Sequence, residues 1–404
     1  MNSHPSNKNN FDVLIVGAGL VGTSLACALE PVIRQNNLRV ALIETLELDE
    51  PRSKPPSFDA RASALSFGTQ QIYQQLGLWQ DLAIHATAIQ QVHVSDKGHF
   101  GVTRLNAEAE AVAALGYVIK NYQLGDVLLE RLQLFRGEKL ITVFSPESVE
   151  SITPVSDGMR VKLSSLTTSA SLVILADGGR SGLMEQLVIQ REVTEYHQHG
   201  LIANLALDRP HKGIAYERFA GTGPMALLPL TDDHCALVWT VGNDEIDAVT
   251  QLDDQAFLAL VQERFGYRAG RFLKVGKRHS YPLTMTLAKE QVRPGLVVIG
   301  NAAHGIHPIA GQGYNLAMRD VMALVENIAG SVQHDIPLGD LAQLLSYQKQ
   351  QAADQHRTTL VCDGLVKLFS RTGRASILAR NLGLVGLDVL TPVKSRFVKK
   401  AMGL

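Results

Sequence analysis

The sequence predicts an α/β fold in which a Rossmann-like, doubly wound domain is interrupted by an inserted antiparallel-sheet domain and followed by a helical C-terminal region. Three observations carry this. Glycines spaced Gly17-x-Gly19-x-x-Gly22 sit between an apolar strand and a helix, and a second strand, glycine-rich loop and helix recur near residue 300. Between them, from about 200 to 287, the pattern changes to long alternating segments broken by polar turns. The expected division is a discontinuous dinucleotide-binding domain over 1–80, 100–180 and 288–335, a β-sheet substrate domain over 81–99 and 181–287, and a helical region over 336–404.

Composition narrows the function classes. The 404 residues carry 38 basic and 39 acidic side chains, a balance that argues against a nucleic-acid partner. Cys27, Cys235 and Cys362 are far apart, so neither a metal cluster nor a disulfide framework is expected, and a reducing, cytoplasmic setting fits. The first ten residues are polar and do not read as a secretory signal, and no apolar run has the length of a membrane span.

In chain order, 11–16 reads as a buried strand, 17–22 as a tight turn and 23–30 as the opening of a helix. Residues 40–44 supply a second strand that ends in an acid. Gly17 makes the turn, Gly19 lets backbone reach a pyrophosphate, Gly22 permits helix-on-strand packing, and Glu44 accepts hydrogen bonds from a ribose. This assembly predicts a dinucleotide without distinguishing FAD from NAD. Residues 50–56 read as a loop, 69–76 as a helix, 126–134 as an amphipathic helix, and 140–175 as a small antiparallel sheet with a turn at Ser156-Asp-Gly158. Strands are expected at 200–207, 214–219, 225–229, 234–241 and 278–282, with a helix at 254–265. Tyr216, Met225, Leu227 and Tyr281 are candidates to line an apolar pocket there, or plain core residues.

The chain returns to the first domain at Gly295. A strand over 296–299 leads to Gly300-Asn301, then to Pro308-Ile-Ala-Gly-Gln-Gly313, then to a helix over 314–329. Gly311 and Gly313 permit close backbone approach, and the amide groups and dipole of the helix start favour an anion. Helices are expected at 341–359 and 364–369, leading into 375–402, where Arg380, Lys394, Arg396, Lys399 and Lys400 make a basic, amphipathic tail. Such a tail suits a membrane surface or a partner, or packs on the body with its basic face solvated.

Gly17-x-Gly19-x-x-Gly22, Ala176-Asp177-Gly178 and Gly300-Asn301-Ala302-Ala303-His304 together resemble the FAD-dependent aromatic hydroxylases, the class A flavoprotein monooxygenases, and within them the ubiquinone-biosynthesis branch. The superfamily mostly reads Gly-Asp-Ala-Ala-His where this chain has Asn301. The resemblance implies FAD as the dinucleotide, with Gly300, Asn301, Ala302, Gly313, Tyr314, Asn315, Asp177 and Gly178 at the cofactor. It places Arg61, within Asp59-Ala-Arg-Ala-Ser-Ala-Leu65, beside the flavin; the alternative is a solvated arginine paired with Asp59. Gln123 is a further candidate to touch FAD, and also reads as a polar residue at a helix start.

The implied reaction is hydroxylation of the phenolic ring of a 2-polyprenyl-6-methoxyphenol, with NAD(P)H reducing FAD and reduced flavin activating O2 at its C4a carbon. The expected catalytic segment is His307, Pro308, Gly311, Gln312 and Gly313. His304 and His307 invite a general-base role, but His304 belongs to the cofactor loop by resemblance and His307 precedes Pro308. The implied partners are the prenylated phenol, a membrane surface at the inner face of the plasma membrane or a ubiquinone-biosynthesis complex, and a second copy of the chain. Another ring hydroxylase of the same pathway, a flavin-dependent prenyl reductase and a non-catalytic FAD-binding assembly subunit are the rival readings.

Overall fold

The computed structural model describes residues 10–48, 61–220, 223–231, 233–370 and 373–404. The loop expected at 50–56, and Asp59 of the arginine motif, lie outside these residues.

The first strand, β1 (Asn10–Val16), enters the glycine turn, and α1 (Leu20–Ala28) begins at Leu20 rather than at 23. Gly19 is extended at the helix entry, so Gly22 already lies in the first turn. A Cβ at Gly22 would sit 1.9 Å from the Gly17 carbonyl oxygen, which leaves room only for glycine. Next come α2 (Glu30–Asn36), β2 (Val40–Ile43), β3 (Ala62–Ser66), α3 (Phe67–Gln75), α4 (Trp79–Ala83), β4 (Thr87–Ile89), β5 (Gln91–Asp96), β6 (Val102–Asn106) and β7 (Gly116–Lys120). Ser66 caps α3, its hydroxyl accepting the Thr69 amide N–H at 3.2 Å. The helix expected at 126–134 is longer, α5 (Asn121–Gly137), and begins directly after β7.

After β8 (Ile141–Phe144) comes a meander of β9 (Val149–Val155), β10 (Gly158–Leu163) and β11 (Thr167–Leu175). After α6 (Leu183–Gln186) come β12 (Arg191–Leu207), β13 (Ile214–Ala220), β14 (Gly223–Pro229), β15 (His234–Gly242), α7 (Ile246–Gln251), α8 (Asp254–Phe265), β16 (Phe272–Val275) and β17 (His279–Ala288). The return strands are β18 (Val292–Arg293) and β19 (Leu296–Val298), and β20 (His304–Gly305) precedes α9 (Gln312–Gln333). The chain ends in α10 (Leu341–Ser370), α11 (Arg374–Val389) and α12 (Thr391–Ala401).

One sheet runs β18-β19-β11-β1-β2-β8, parallel from β19 to β8, with β10 and β9 attached antiparallel to the start of β11. Helices α1, α5 and α9 cover one face, burying Leu25, Leu124, Leu128 and Leu324; β9, β10 and α6 cover the other. From Val13 to Val16, strand β1 is therefore buried on both sides and reads as an apolar run. A second sheet runs β20-β17-β12-β15-β14-β13-β5-β6, antiparallel except for the β13–β5 pair, with β16 beside β12. It includes β6, so this sheet reaches past the boundary expected at 99.

Two expectations are corrected here. Met225 and Leu227 do not line a pocket. They are fully buried against Trp239, Phe257 and Phe265, on the face of the second sheet that α8 covers, because the phase of β14 is one residue off the expected one. In the tail, 341–370 is a single helix, since Gly364 stands on an open face where its missing side chain costs no packing. The segment 375–402 instead breaks at Leu390, where Pro392 starts a new helix in the first-turn position that tolerates a missing N–H. No helix among the described residues is long and apolar enough to cross a membrane.

Candidate active site

A cavity of about 1230 Å³ lies between the two sheets and is closed by the C-terminal helices. At one end its wall is the fingerprint turn: Gly17, Gly19, Glu44, Asp177 and Gly178 all line it. Gly17 has φ +101°, and a Cβ there would be 2.9 Å from the Asp177 Cα, so glycine is required where the turn meets the end of β11. Gly178 has φ +72° with open space where a side chain would be. The Glu44 carboxylate accepts the Ala18 N–H at 2.8 Å and, through its other oxygen, the Thr45 hydroxyl at 3.0 Å. The Asp177 carboxylate accepts the Gly179 and Ser181 N–H groups, each at 3.0 Å, which closes the turn after β11. Gly22 does not line the cavity; its part is the packing described above.

At the middle, Asn301, His307, Pro308, Gly311, Gln312, Gly313 and Tyr314 face the same space. Gly311, at φ +61°, caps α9, and the first turn of this 22-residue helix opens onto the cavity, a placement that favours an anion. Gly300 and Ala302 are elsewhere: Gly300 packs toward Val21 and Ala302 is buried in the core beneath the first sheet. Asn315 lines the cavity but is fully spent within the protein. Its oxygen accepts the Ser66 N–H and the Thr69 hydroxyl, each at 2.8 Å, and its amide donates to Ala64 C=O at 2.9 Å and Gly311 C=O at 2.8 Å. It thereby locks the loop before α9 to β3. The Tyr314 hydroxyl bonds Ser24 at 3.0 Å and Tyr73, tying α9 to the fingerprint helix.

The two histidines separate cleanly. His304 is buried, pairs through Nε2 with Asp320, and does not line the cavity; Asp320 also accepts the Gln355 amide at 3.1 Å. It anchors the loop to α9 and α10. His307 is buried at the cavity edge against the Tyr196 ring, and burial pushes its pKa down to about 4, so it is neutral at physiological pH. Its Nδ1 accepts the Ile309 N–H at 3.2 Å, which leaves the proton on Nε2, and that Nε2 has no acceptor among the described residues. His307 offers a hydrogen-bond donor there, not a base.

Arg61 lines the cavity with its guanidinium 5.8 Å from the centre of the Tyr281 ring, which also lines it. Gln123 is not at the cavity: its amide meets His85 at 3.3 Å near the surface. Asn121, two residues earlier, is the polar residue of α5 that reaches the wall, where its oxygen accepts the Ser63 hydroxyl at 2.7 Å. The sequence signal for it was the strand-to-helix junction itself, since the first residue after β7 necessarily lies at the strand's carboxyl end. Glu217 was also missed. It lies on the cavity side of β13 between Ala215 and Phe219, and an acid alternating with apolar residues was the available clue.

Comparison with known proteins agrees with this geometry. The model of the FAD binding domain family matches residues 10–354. The chain is 34% identical over 399 residues to ubiquinone hydroxylase UbiL of Rhodospirillum rubrum, covering 97% of this chain and 89% of that protein. It is 25% identical to the mitochondrial ubiquinone biosynthesis monooxygenase COQ6 of Homo sapiens, covering 98% and 93%. In fold it is similar to p-nitrophenol 4-monooxygenase PnpA of Pseudomonas putida, with a TM-score of 0.80 at 16% identity and 98% of each chain covered.

Proposed function

The chain belongs to the FAD binding domain family, and from that premise we propose that it is an FAD-dependent monooxygenase that hydroxylates the ring of a 2-polyprenyl-6-methoxyphenol in ubiquinone biosynthesis. The observation that carries the reading is one continuous cavity with two kinds of wall. Glycine turns and a helix start suited to a dinucleotide lie at one end, and an apolar sheet face suited to a prenylated ring at the other. The residues fit FAD: the open position at Gly178 and the helix start beyond Gly311 leave backbone exposed to it. Bound there, FAD supplies the redox chemistry that links NAD(P)H to O2. The protein's part is to hold anionic charge at the Gly311–Tyr314 turn, to place Arg61 beside it, and to keep water out with β13, β14 and the C-terminal helices.

The names carried by UbiL and COQ6 support a ubiquinone-pathway substrate. Peripheral membrane contact is supported by the outer faces of α11 and α12, where Leu378, Leu382 and Val393, with Leu390 between the two helices, are exposed along with Lys399 and Lys400. Oxygen consumption with 2-prenyl-6-methoxyphenol, followed by mass analysis, tests the activity. One added oxygen atom per turnover supports it. NAD(P)H oxidation that saturates a prenyl double bond would make the protein a reductase, and flavin binding without substrate-stimulated oxidation would make it an assembly subunit.

A further inference from the structure

The substrate end of the cavity is largely apolar; besides Glu217 its polar side chains include Thr240, Arg380 and Thr103, whose hydroxyl donates to the Leu384 carbonyl at 2.6 Å. Across the second sheet, the register places Val94, Glu217, Ala226, Val238 and Ile202 in one row facing the cavity, and the neighbouring row contains Val92, Ala215 and Leu228. Glu217 is the one carboxyl in this floor, and its carboxylate has no hydrogen-bond or ionic partner among the described residues. Nearby charges are engaged elsewhere. Asp96 on β5 is held by Arg380 of α11 at 2.7 and 3.1 Å and by Asn381 at 2.9 Å. His93 of β5 meets Arg268 at 3.1 Å, and Arg218 meets Ser95 at 3.1 Å. Strand β14 contributes no charged group, α10 contributes Leu365 and Leu368 to the lining, and His307 is neutral. A lone carboxyl in an apolar wall costs desolvation with nothing in the protein to offset it, which points to a ligand that does.

We propose that Glu217 is the acceptor for the substrate's ring hydroxyl, orienting the ring through a hydrogen bond from its O–H and taking that proton as the ring is attacked. The inference rests on the phenolic substrate proposed above. In the step, the phenol O–H bond breaks and a Glu217 O–H bond forms. The electron pair left on oxygen flows into the ring, which becomes more nucleophilic toward the oxygen atom derived from O2, with NAD(P)H as the reductant. When the ring regains aromaticity, the hydroxylated carbon releases its proton, which is taken up by the second oxygen atom of O2 as it leaves as water, and Glu217 returns its own to the ring oxygen, restoring the carboxylate. The apolar surroundings push the Glu217 pKa up to about 7, close to where a group that both accepts and returns a proton works best.

The test uses FAD-loaded wild-type protein, Glu217→Gln and Glu217→Leu, with 2-prenyl-6-methoxyphenol and its O-methyl ether as probes. Binding is read from the flavin absorbance change and turnover from product formation, both between pH 5.5 and 9. Wild type should prefer the phenol over the ether by about tenfold or more at pH 8, as expected for a hydrogen bond to a charged acceptor, and lose preference as pH falls through about 7. Glu217→Leu should bind both probes alike, with kcat lower by about 100-fold and no titration near 7, and should melt no lower than wild type because a carboxyl in an apolar wall is gone. Glu217→Gln should retain a reduced preference that no longer varies with pH. A Glu217→Leu protein that hydroxylates the phenol with the wild-type pH profile overturns the inference and leaves the proposed function standing. Wild type that prefers the phenol through Glu217 but never hydroxylates it removes the proposed function and leaves the inference standing.

Discussion

The carboxylate of Glu44 closes the end of β2 onto the fingerprint turn by accepting the Ala18 N–H, a bond that spans 26 residues of chain. Its other oxygen accepts the Thr45 hydroxyl at 3.0 Å and the Leu46 N–H at 3.2 Å. The acid placed by sequence to meet a ribose is thus a clamp before any cofactor arrives. A carboxylate has about four acceptor positions, so three internal bonds still leave one for a ribose hydroxyl.

This dual use sets the outcome of substitution at Glu44. Glu44→Gln keeps an acceptor for Ala18 and should lower FAD affinity modestly. Glu44→Ala strands a buried N–H and removes the ribose contact, at a cost of about 1–3 kcal/mol in affinity, with a lower melting temperature for the apoprotein. Flavin titration and thermal melting of both variants check it; an Ala variant that equals Gln in both would show that Glu44 does not hold the turn.

The parts legible in sequence are those where backbone geometry dictates residue type. Gly17 and Gly22 stand where a Cβ would collide with backbone, and spacing alone located them. The phase of β14 was not legible, because five of its seven residues are buried and the alternation that reveals a half-exposed strand is absent. Gln123 was a candidate by resemblance, and the helix it belongs to begins two residues earlier, at Asn121. Two positions on a helix turn by about 200°, enough to move a side chain from the cavity to the surface. Glu217 was readable as a polar residue on an inward phase, but its isolation in the floor is a product of five strands meeting side by side.

Asn315 carries four internal hydrogen bonds with both amide atoms saturated. Asn315→Leu should therefore destabilise the protein by at least about 3 kcal/mol, from several stranded groups at about 1–3 kcal/mol each. The loop before α9 should also lose its register against β3. Urea unfolding of the apoprotein measures the first, and chymotryptic cleavage between 306 and 316 the second. Wild-type stability in Asn315→Leu would mean that the loop is held from elsewhere.

His307 predicts a pH effect whose sign follows from its environment. Burial lowers its folded pKa from 6.5 to about 4, so the unfolded chain takes up this proton first as the solution is acidified. The associated stability is fully present above about 6.5 and is lost as the pH falls toward 4. Replacing His307 by Leu should flatten the decline of unfolding free energy across that window by up to one proton's worth of slope. Denaturant titrations at half-unit pH steps test this; parallel curves for the two proteins would contradict it.

Asn301 is exposed to the cavity at the loop before β20. Its amide oxygen can accept a ribityl hydroxyl as a carboxylate would, without a negative charge beside a pyrophosphate, a repulsion of about 1–4 kcal/mol at 4 Å depending on the effective dielectric. Asn301→Asp should retain FAD and most activity. Asn301→Leu should lose about 1–3 kcal/mol of FAD affinity by leaving the hydroxyl unpaired. Equal affinity in Asn and Leu forms would place residue 301 away from the cofactor.

The last prediction concerns how the tail is held. The basic residues of the C-terminal helices are not one solvated face: Arg380 forms a two-pronged pair with Asp96, the side chains 9% and 3% exposed, and Lys394 pairs with Asp388 at 3.0 Å. Asn381 adds a bond from its amide to Asp96 and accepts the Gly101 N–H at 2.6 Å, so α11 is stitched to the hairpin of β5 and β6. Because α11 and α12 form part of the cavity lid, through Leu384, Leu387 and Val398, this stitch closes the substrate end. Removing one partner of a buried ion pair strands the other charge, at about 3–5 kcal/mol. Arg380→Ala should release α11, speed proteolysis after residue 373, and raise NAD(P)H oxidation that yields peroxide in place of hydroxylated product, since water then reaches the flavin. The double variant Asp96→Asn with Arg380→Gln removes both charges together and should recover much of the lost stability. If Arg380→Ala alone is as stable and as well coupled as wild type, the helices are held by Val398 and Met402 against the sheet, and the ion pair is incidental to closing the site.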